Sequence, residues 1–137
     1  MNSIGIRVVK VGGSLFAWDE LSISLQNWLE WQPPMHNLLL AGGGEFANLV
    51  RSADSRFSLG EANSHWMCVD LLRVTSRLLA HLLPNSTLVP RWKDLKQQLG
   101  KQPATENLIL DPAEFLYDVE HLEPGENLPA TWSVTTD

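Results

Sequence analysis

Two glycine-rich turns, each directly after a short apolar run, constrain the fold of this chain more than any other feature. The first is VVKVGGSL at residues 8–15, and the second is LLLAGGGEFA at residues 38–47. A buried strand that ends in glycines brings backbone N–H groups to its carboxyl end, and a helix that begins there adds its positive dipole end. The pattern predicts strands of an α/β fold whose carboxyl ends form an edge that binds phosphate.

The rest of the chain alternates apolar runs with helical patterns, which is typical of a parallel sheet covered by helices. Asp19 is a candidate N-cap for a first helix, which Pro33 and Pro34 would end. The acidic stretch at residues 120–129 is predicted to be a loop. The predicted strands are residues 7–11, 38–41, 88–89 and 108–110, and the other predicted helices are residues 45–57, 63–83 and 92–99.

Lys10 lies inside the first predicted strand, where an apolar side chain is the usual choice. Because valines flank it, we expect this strand to lie away from a solvated edge of the sheet. A cation beside an anion-binding turn is suited to neutralising a phosphoryl group during transfer. Arg51 and Arg73 follow the second glycine turn on predicted helices, and both are candidate clamps for an anionic substrate.

The glycine triplet at residues 42–44 costs backbone entropy unless something must approach the backbone closely. We expect a ligand to make that approach, and we expect Gly43 to need a conformation that a β-branched residue disfavours. The same residues match the dinucleotide motif G-x-G-x-x-A, which also requires an acidic residue about 20 positions onward, at the end of the next strand. Glu61 has roughly that spacing but no preceding strand. A catalytically silent anion-binding module and, less favoured, a dinucleotide-binding domain therefore stay open as alternatives.

Composition narrows the classes of partner. The net charge is −6 with histidine neutral, and nucleic-acid binding depends on clustered Lys and Arg. The single cysteine, Cys68, excludes an internal disulfide framework, and we expect it to be a small buried residue in a helix. No apolar stretch approaches the ~20 residues of a membrane span, and the four histidines have no metal-ligand spacing. We expect a cytoplasmic protein with no nucleic-acid partner, no membrane partner and no protein-bound metal.

Three motifs resemble those of the amino acid kinase family, which includes acetylglutamate, aspartate, carbamate and uridylate kinases. They are K-x-G-G-S at residues 10–14, the triple glycine at residues 42–44, and a final segment that ends at Asp137. The resemblance implies a three-layer αβα sandwich with a mainly parallel sheet, similar to acetylglutamate and carbamate kinases. It implies that residues 1–137 form a single domain, the amino-terminal lobe that binds the phosphoryl acceptor, and that the nucleotide-binding half is absent.

The closing LPATWSVTTD at residues 128–137 resembles the L-P-x-S-W-D-V-T-S-D ending of the archaeal-type kinases that phosphorylate aminomethylfuran phosphate. Thr131 and Ser133 depart from that ending, in which the subgroup has serine and aspartate. Uridylate kinases also carry T-T-D, but their pattern after the triple glycine differs from the Glu45-Phe46-Ala47 of this chain.

The resemblance implies a kinase that uses ATP with Mg²⁺ to phosphorylate a carboxylate, a phosphate or a similar small-molecule acceptor. Lys10 would be catalytic, and Asp137 would hold it in position. The implied phosphate- and substrate-binding residues are Gly12, Gly13, Ser14, Gly42, Gly43, Gly44, Glu45, Arg51, Thr135 and Thr136.

The resemblance also implies a homodimer, because family members commonly pair through their amino-terminal halves. The predicted helix at residues 63–83 is apolar on two stripes, so it is either buried on both or keeps one for a partner. One stripe contains Val69, Leu72, Leu79 and Leu83, and the other contains Met67, Leu71, Val74, Leu78 and Leu82. We expect a surface of this helix made of Trp66, Met67, Leu71, Val74 and Leu78 to pack against another copy of the chain.

Overall fold

The computed structural model describes residues 5–102 and 105–131. These residues form a four-stranded parallel sheet with helices on both faces. The strands are β1 (Ile6–Val11), β2 (His36–Ala41), β3 (Ser86–Val89) and β4 (Asn107–Leu110). The main helices are α1 (Leu21–Trp31), α2 (Gly44–Phe57), α3 (Glu61–Leu82) and α4 (Trp92–Leu99). Short helical turns span Gly13–Ala17, Phe115–Val119 and Glu120–Leu122. The α/β class predicted from the sequence is confirmed.

The strand order β1-β2-β4-β3 places the two glycine turns side by side. β1 and β2 run parallel in register, with Val11 opposite Ala41, so both strands end at the same level. The backbone N–H of Gly42 donates to the carbonyl of Val11 over 2.9 Å and carries the pairing into the second turn. The sheet therefore delivers both turns to one carboxyl edge.

The two faces of the sheet have separate apolar cores, and these make the three-layer sandwich. On one face, α1 and the end of α3 pack on the sheet. The helical side chains are Leu21, Leu29, Leu79 and Leu83, and the sheet contributes Val11, Leu39, Ala41 and Ile109. On the other face, α4 packs through Leu95 against Val89, Leu108 and Leu110. Full burial of one such leucine is worth about 1.5–3 kcal/mol. None of the described helices combines the length and the apolar character needed to cross a bilayer.

The expectation that Lys10 avoids a solvated edge is wrong. β1 is the first strand of the described sheet and pairs there with β2 alone. Lys10 is exposed, and Ile6 and Val8 on the same face of the strand are 47% and 63% exposed. The reason lies on the α4 face of the sheet, where that helix packs on β3 and β4 and does not cover β1. The apolar run of β1 therefore belongs to an edge strand that helices cover on one face only.

The start of α1 also corrects a prediction. Asp19 is not its N-cap, because the helix begins at Leu21 after Glu20 and has no side-chain hydrogen bond at the cap. The predicted end is right. Gln32 follows α1 in an extended conformation, as expected of a residue that precedes a proline.

Residues 112–131, called the C-terminal wall below, follow β4 and contain two short helices, Phe115–Val119 and Glu120–Leu122. The loop predicted over residues 120–129 is wrong only at Glu120–Leu122, because residues 123–129 lie in neither a helix nor a strand. Glu114 accepts a hydrogen bond from the backbone N–H of Trp92 at 3.2 Å, and Glu123 accepts one from its indole N–H at 3.1 Å. The rings of Trp92 and Phe115 are 4.6 Å apart. Acidic residues thus serve as hydrogen-bond acceptors that fix this wall to α4.

Candidate functional site

The two glycine turns pack against each other backbone to backbone. A Cβ atom on Gly13 would lie 2.0 Å from the backbone nitrogen of Gly44, and one on Gly42 would lie 2.7 Å from the nitrogen of Gly13. Gly44 has a φ of +58°, and a Cβ there would lie 2.6 Å from the carbonyl oxygen of Gly13. Any side chain at these three positions would separate the turns.

This packing corrects the explanation of the triplet. At Gly42 and Gly44 the group that approaches the backbone closely is the other turn, not a ligand. Gly43 has a φ of −76° and is the N-cap of α2, so the positive φ belongs to Gly44. Gly12 is different again, since a Cβ there would meet no atom within 4 Å.

Two helices begin at this fused edge. The short helix Gly13–Ala17 follows the first turn, and α2 follows the second with Glu45 in its first turn. The first N–H groups of a helix lack partners within that helix, and the dipole of a 14-residue helix such as α2 favours an anion at its start. The edge can therefore donate several backbone hydrogen bonds to a phosphate or a carboxylate.

A cavity of about 1410 Å³, called the carboxyl-end cavity below, opens over this edge. Apart from the candidate clamp Arg73, it brings together every predicted site residue that the structure describes. These are Lys10, Gly12, Gly13, Ser14, Gly42, Gly43, Gly44, Glu45 and Arg51. The remaining predicted site residues, Thr135, Thr136 and Asp137, lie outside the described part of the chain.

Arg51 adds a second cation to the cavity from α2. Its guanidinium donates to the side chain of Asn48 at 3.0 Å, and it lies close enough to α3 to influence Cys68. Burial raises the pKa of the Cys68 thiol, and the charge of Arg51 lowers it in part. Cys68 is half-buried and lines the cavity, where a fully buried core residue was expected. Arg73, the other candidate clamp, is exposed on α3 and does not line this cavity.

Aromatic side chains form the part of the cavity that sequence reasoning missed. Trp66 of α3 and Tyr117 of the C-terminal wall stack with ring centroids 4.6 Å apart, and His65 meets Trp66 edge-on at 5.1 Å. Phe115 lines the cavity from the same wall. No local sequence pattern links Trp66, in the segment Ser64-His65-Trp66-Met67, to Tyr117, which is 51 residues away.

The cavity contains no evident metal centre among the described residues. In residues 5–102 and 105–131, no three His, Cys, Asp or Glu side chains come together as metal ligands. Glu45, Glu120, His65 and His121 line the cavity without forming such a group.

Comparison with known proteins gives one sequence relation and one shared fold, and no family model matches the chain. The chain is 28% identical over 136 residues to the [5-(aminomethyl)furan-3-yl]methyl phosphate kinase of Methanocaldococcus jannaschii, a match that covers 96% of this chain and 56% of the relative. The crystal structure of uridylate kinase from Archaeoglobus fulgidus shares the fold with a TM-score of 0.55 at 13% identity, over 76% of this chain and 50% of that one.

The chain therefore spans about half the length of the proteins it matches. Together, the distant sequence match and the parallel α/β fold show that this chain is related to the amino acid kinase family.

Proposed function

We propose that this chain is the acceptor-binding half of a small-molecule kinase that transfers a phosphoryl group from ATP. The observation that carries the proposal is the fused pair of glycine turns, with Lys10 beside them in one cavity. In phosphoryl transfer, the main tasks of the protein are to hold the attacking and leaving oxygens in line and to neutralise the charge on the transferring group. Backbone N–H groups and a lysine ammonium are suited to both tasks.

Each described residue has a distinct role in this proposal. The N–H groups at the starts of Gly13–Ala17 and α2 cradle phosphoryl oxygens, because the first N–H groups of a helix have no hydrogen-bond partner within that helix. Lys10 projects its ammonium from the end of β1 and neutralises the charge on the transferring phosphoryl group. Arg51 lines the same cavity from α2 and holds the anionic group of the acceptor.

The remaining roles come from the family resemblance. Asp137 would hold Lys10 in position, and Thr135 and Thr136 would contact substrate. These residues lie outside the described part of the chain, so their roles rest on the motif alone.

ATP fits the glycine edge through its phosphates, which are the groups that helix N-termini bind. When bound, ATP supplies the phosphoryl group. Mg²⁺ commonly keeps several waters and binds substrate phosphates, and the described residues gather no carboxylate cluster for it. We therefore assign the metal to the nucleotide.

The acceptor we propose is a small phosphorylated or carboxylated compound. The relative from M. jannaschii is named for a furan that carries a phosphate and an aminomethyl group. The cavity of this chain offers Arg51 for an anionic group and an aromatic wall for a ring. [5-(Aminomethyl)furan-3-yl]methyl phosphate is therefore the first acceptor to test.

A silent anion-binding module with the same fold is the second candidate, and one observation favours it. Mutual packing of the turns accounts for Gly13, Gly42 and Gly44 without any ligand. The dinucleotide alternative fits less well. Helix α3 follows α2 directly, so Glu61 stands in the first turn of a helix and not at the end of a strand.

The experiment measures acceptor binding by the chain alone, and ADP release by a chimera in which the chain replaces the matching half of the M. jannaschii relative. The chimera is given ATP, Mg²⁺ and [5-(aminomethyl)furan-3-yl]methyl phosphate, with Lys10→Ala as the matched control. Release that exceeds that of the control supports the kinase. Saturable binding of the acceptor without ADP release supports the silent module. A chain that neither binds the acceptor nor releases ADP contradicts both.

A further inference from the structure

The stacked pair Trp66 and Tyr117 offers a flat apolar surface in the carboxyl-end cavity. The two ring planes differ by 23°, and the centroids are 4.6 Å apart. Both residues line the cavity, and Tyr117 is 40% exposed. Aromatic rings prefer offset-stacked or edge-on neighbours, so a third planar ring finds a favourable partner here.

The position of Tyr117 is fixed by more than its ring. Its hydroxyl donates to a carboxylate oxygen of Asp70 at 3.0 Å and approaches the backbone carbonyl of Trp66 at 3.4 Å. Burial raises the pKa of the Tyr117 hydroxyl, and the hydrogen bond to Asp70 raises it further. Asp70 lies one helical turn after Trp66 on α3, so the helix holds both the ring and the hydroxyl. The surface is therefore preorganised before any ligand arrives.

A positive charge lies in the same cavity as this surface. Arg51 and Cys68 line that cavity, and the charge of Arg51 acts on the Cys68 thiol. Trp66 and Cys68 both line the cavity from α3, so the guanidinium and the stacked rings face one shared space. The glycine edge and Lys10 occupy the strand ends.

We propose that the Trp66–Tyr117 stack is the specificity element of the acceptor site and selects a planar ring that carries an anionic group. The inference rests on the proposed acceptor-binding function and deepens it by naming the chemistry of the acceptor. The ring packs on the stacked pair, while Arg51 holds the anion. An aliphatic body of equal size gains the same apolar contact area but loses the interaction between ring faces.

The test compares two probes of equal charge and equal carbon number. Benzyl phosphate has a flat ring, and cyclohexylmethyl phosphate has a puckered one. Calorimetric titration of the chain should give a dissociation constant roughly two- to tenfold lower for benzyl phosphate. Trp66→Leu and Tyr117→Leu should each remove that preference, whereas Tyr117→Phe should keep it because the ring remains.

Trp31→Leu is the matched control, since Trp31 is 80% exposed on α1 and does not line the cavity. It should leave the preference unchanged. Equal binding of the two probes by the parent chain would overturn the inference, as would a preference that survives in both leucine variants. Loss of both probes to the same extent in Tyr117→Leu would also overturn it, because that result would indicate a purely structural role.

The outcome is independent of catalysis. If the chain prefers the flat probe but the chimera releases no ADP, the kinase is refuted and the specificity element stands. If the chimera releases ADP but the chain binds the two probes equally, the specificity element alone is refuted.

Discussion

Replacing Gly13 with alanine tests the fusion of the glycine turns. The added methyl group would lie 2.0 Å from the backbone nitrogen of Gly44 and 2.4 Å from its Cα, whereas ordinary contact begins near 3.4 Å. The turns would have to separate by roughly 1 Å or more, and the β1–β2 ladder resists this up to Val11. Overpacking typically costs about 1–3 kcal/mol. Because only backbone can yield here, we expect the free energy of unfolding to fall by about 3 kcal/mol or more.

The neighbouring glycine provides the control. A Cβ on Gly12 meets no atom within 4 Å, and its φ of −58° suits alanine. Gly12→Ala should therefore change the free energy of unfolding by less than about 1 kcal/mol. Urea denaturation followed by circular dichroism measures both variants against the parent. If Gly13→Ala were as stable as Gly12→Ala, the turns would not be fused in solution and the explanation of the glycines would fail.

Three further predictions concern the cavity and the assembly. Lys10→Ala should leave the melting temperature of the chain nearly unchanged, because Lys10 is exposed in an edge strand, and should lower the rate of ADP release by the chimera with the nucleotide-binding half on the order of 10²-fold; a parental rate would exclude Lys10 from catalysis. Tyr117 is the only tyrosine, so near-ultraviolet absorbance should show it titrating above its usual pKa, and Asp70→Asn should lower the midpoint; an unchanged midpoint would mean that the hydrogen bond is not kept in solution. We propose a homodimer that buries at least ~1,000 Å² around the exposed stripe of α3, where Met67 and Val74 are 42% and 46% exposed. Light scattering should show a dimer for the parent and a monomer for Val74→Asp, and a monomeric parent at micromolar concentration would contradict the proposal.

The sequence predicts what depends on local patterns. Apolar runs, helical spacing and glycines are local signals, and the four described strands and the four main helices begin and end within about two residues of the predicted positions. The three short helical turns were not predicted. The two turns also meet as predicted, because parallel strands deliver their carboxyl ends to one edge. One stripe of α3 is buried, as at Leu72 and Leu79, and the other is partly exposed, as at Met67 and Val74.

What the sequence does not predict depends on distant residues. The exposure of Lys10 follows from the strand order and from how far α4 reaches across the sheet, and neither leaves a signal near residue 10. The packing of Gly13 against Gly44 joins two turns that are separate in the chain. Tyr117 reaches the cavity because Asp70 and Trp66 hold it, so its role requires the tertiary structure.

The central claim is that the fused glycine edge binds phosphoryl oxygens through its backbone N–H groups. Amide NMR of the chain labelled with nitrogen-15 in glycine alone, during titration with inorganic phosphate, tests it directly, since the spectrum then contains only the nine glycines. The account predicts saturable shifts at Gly12, Gly13, Gly43 and Gly44, weakened in Lys10→Ala, while Gly60 and Gly125, which do not line the cavity, stay fixed. Glycine-turn amides that do not move, or shifts of equal size at Gly60 and Gly125, would contradict it.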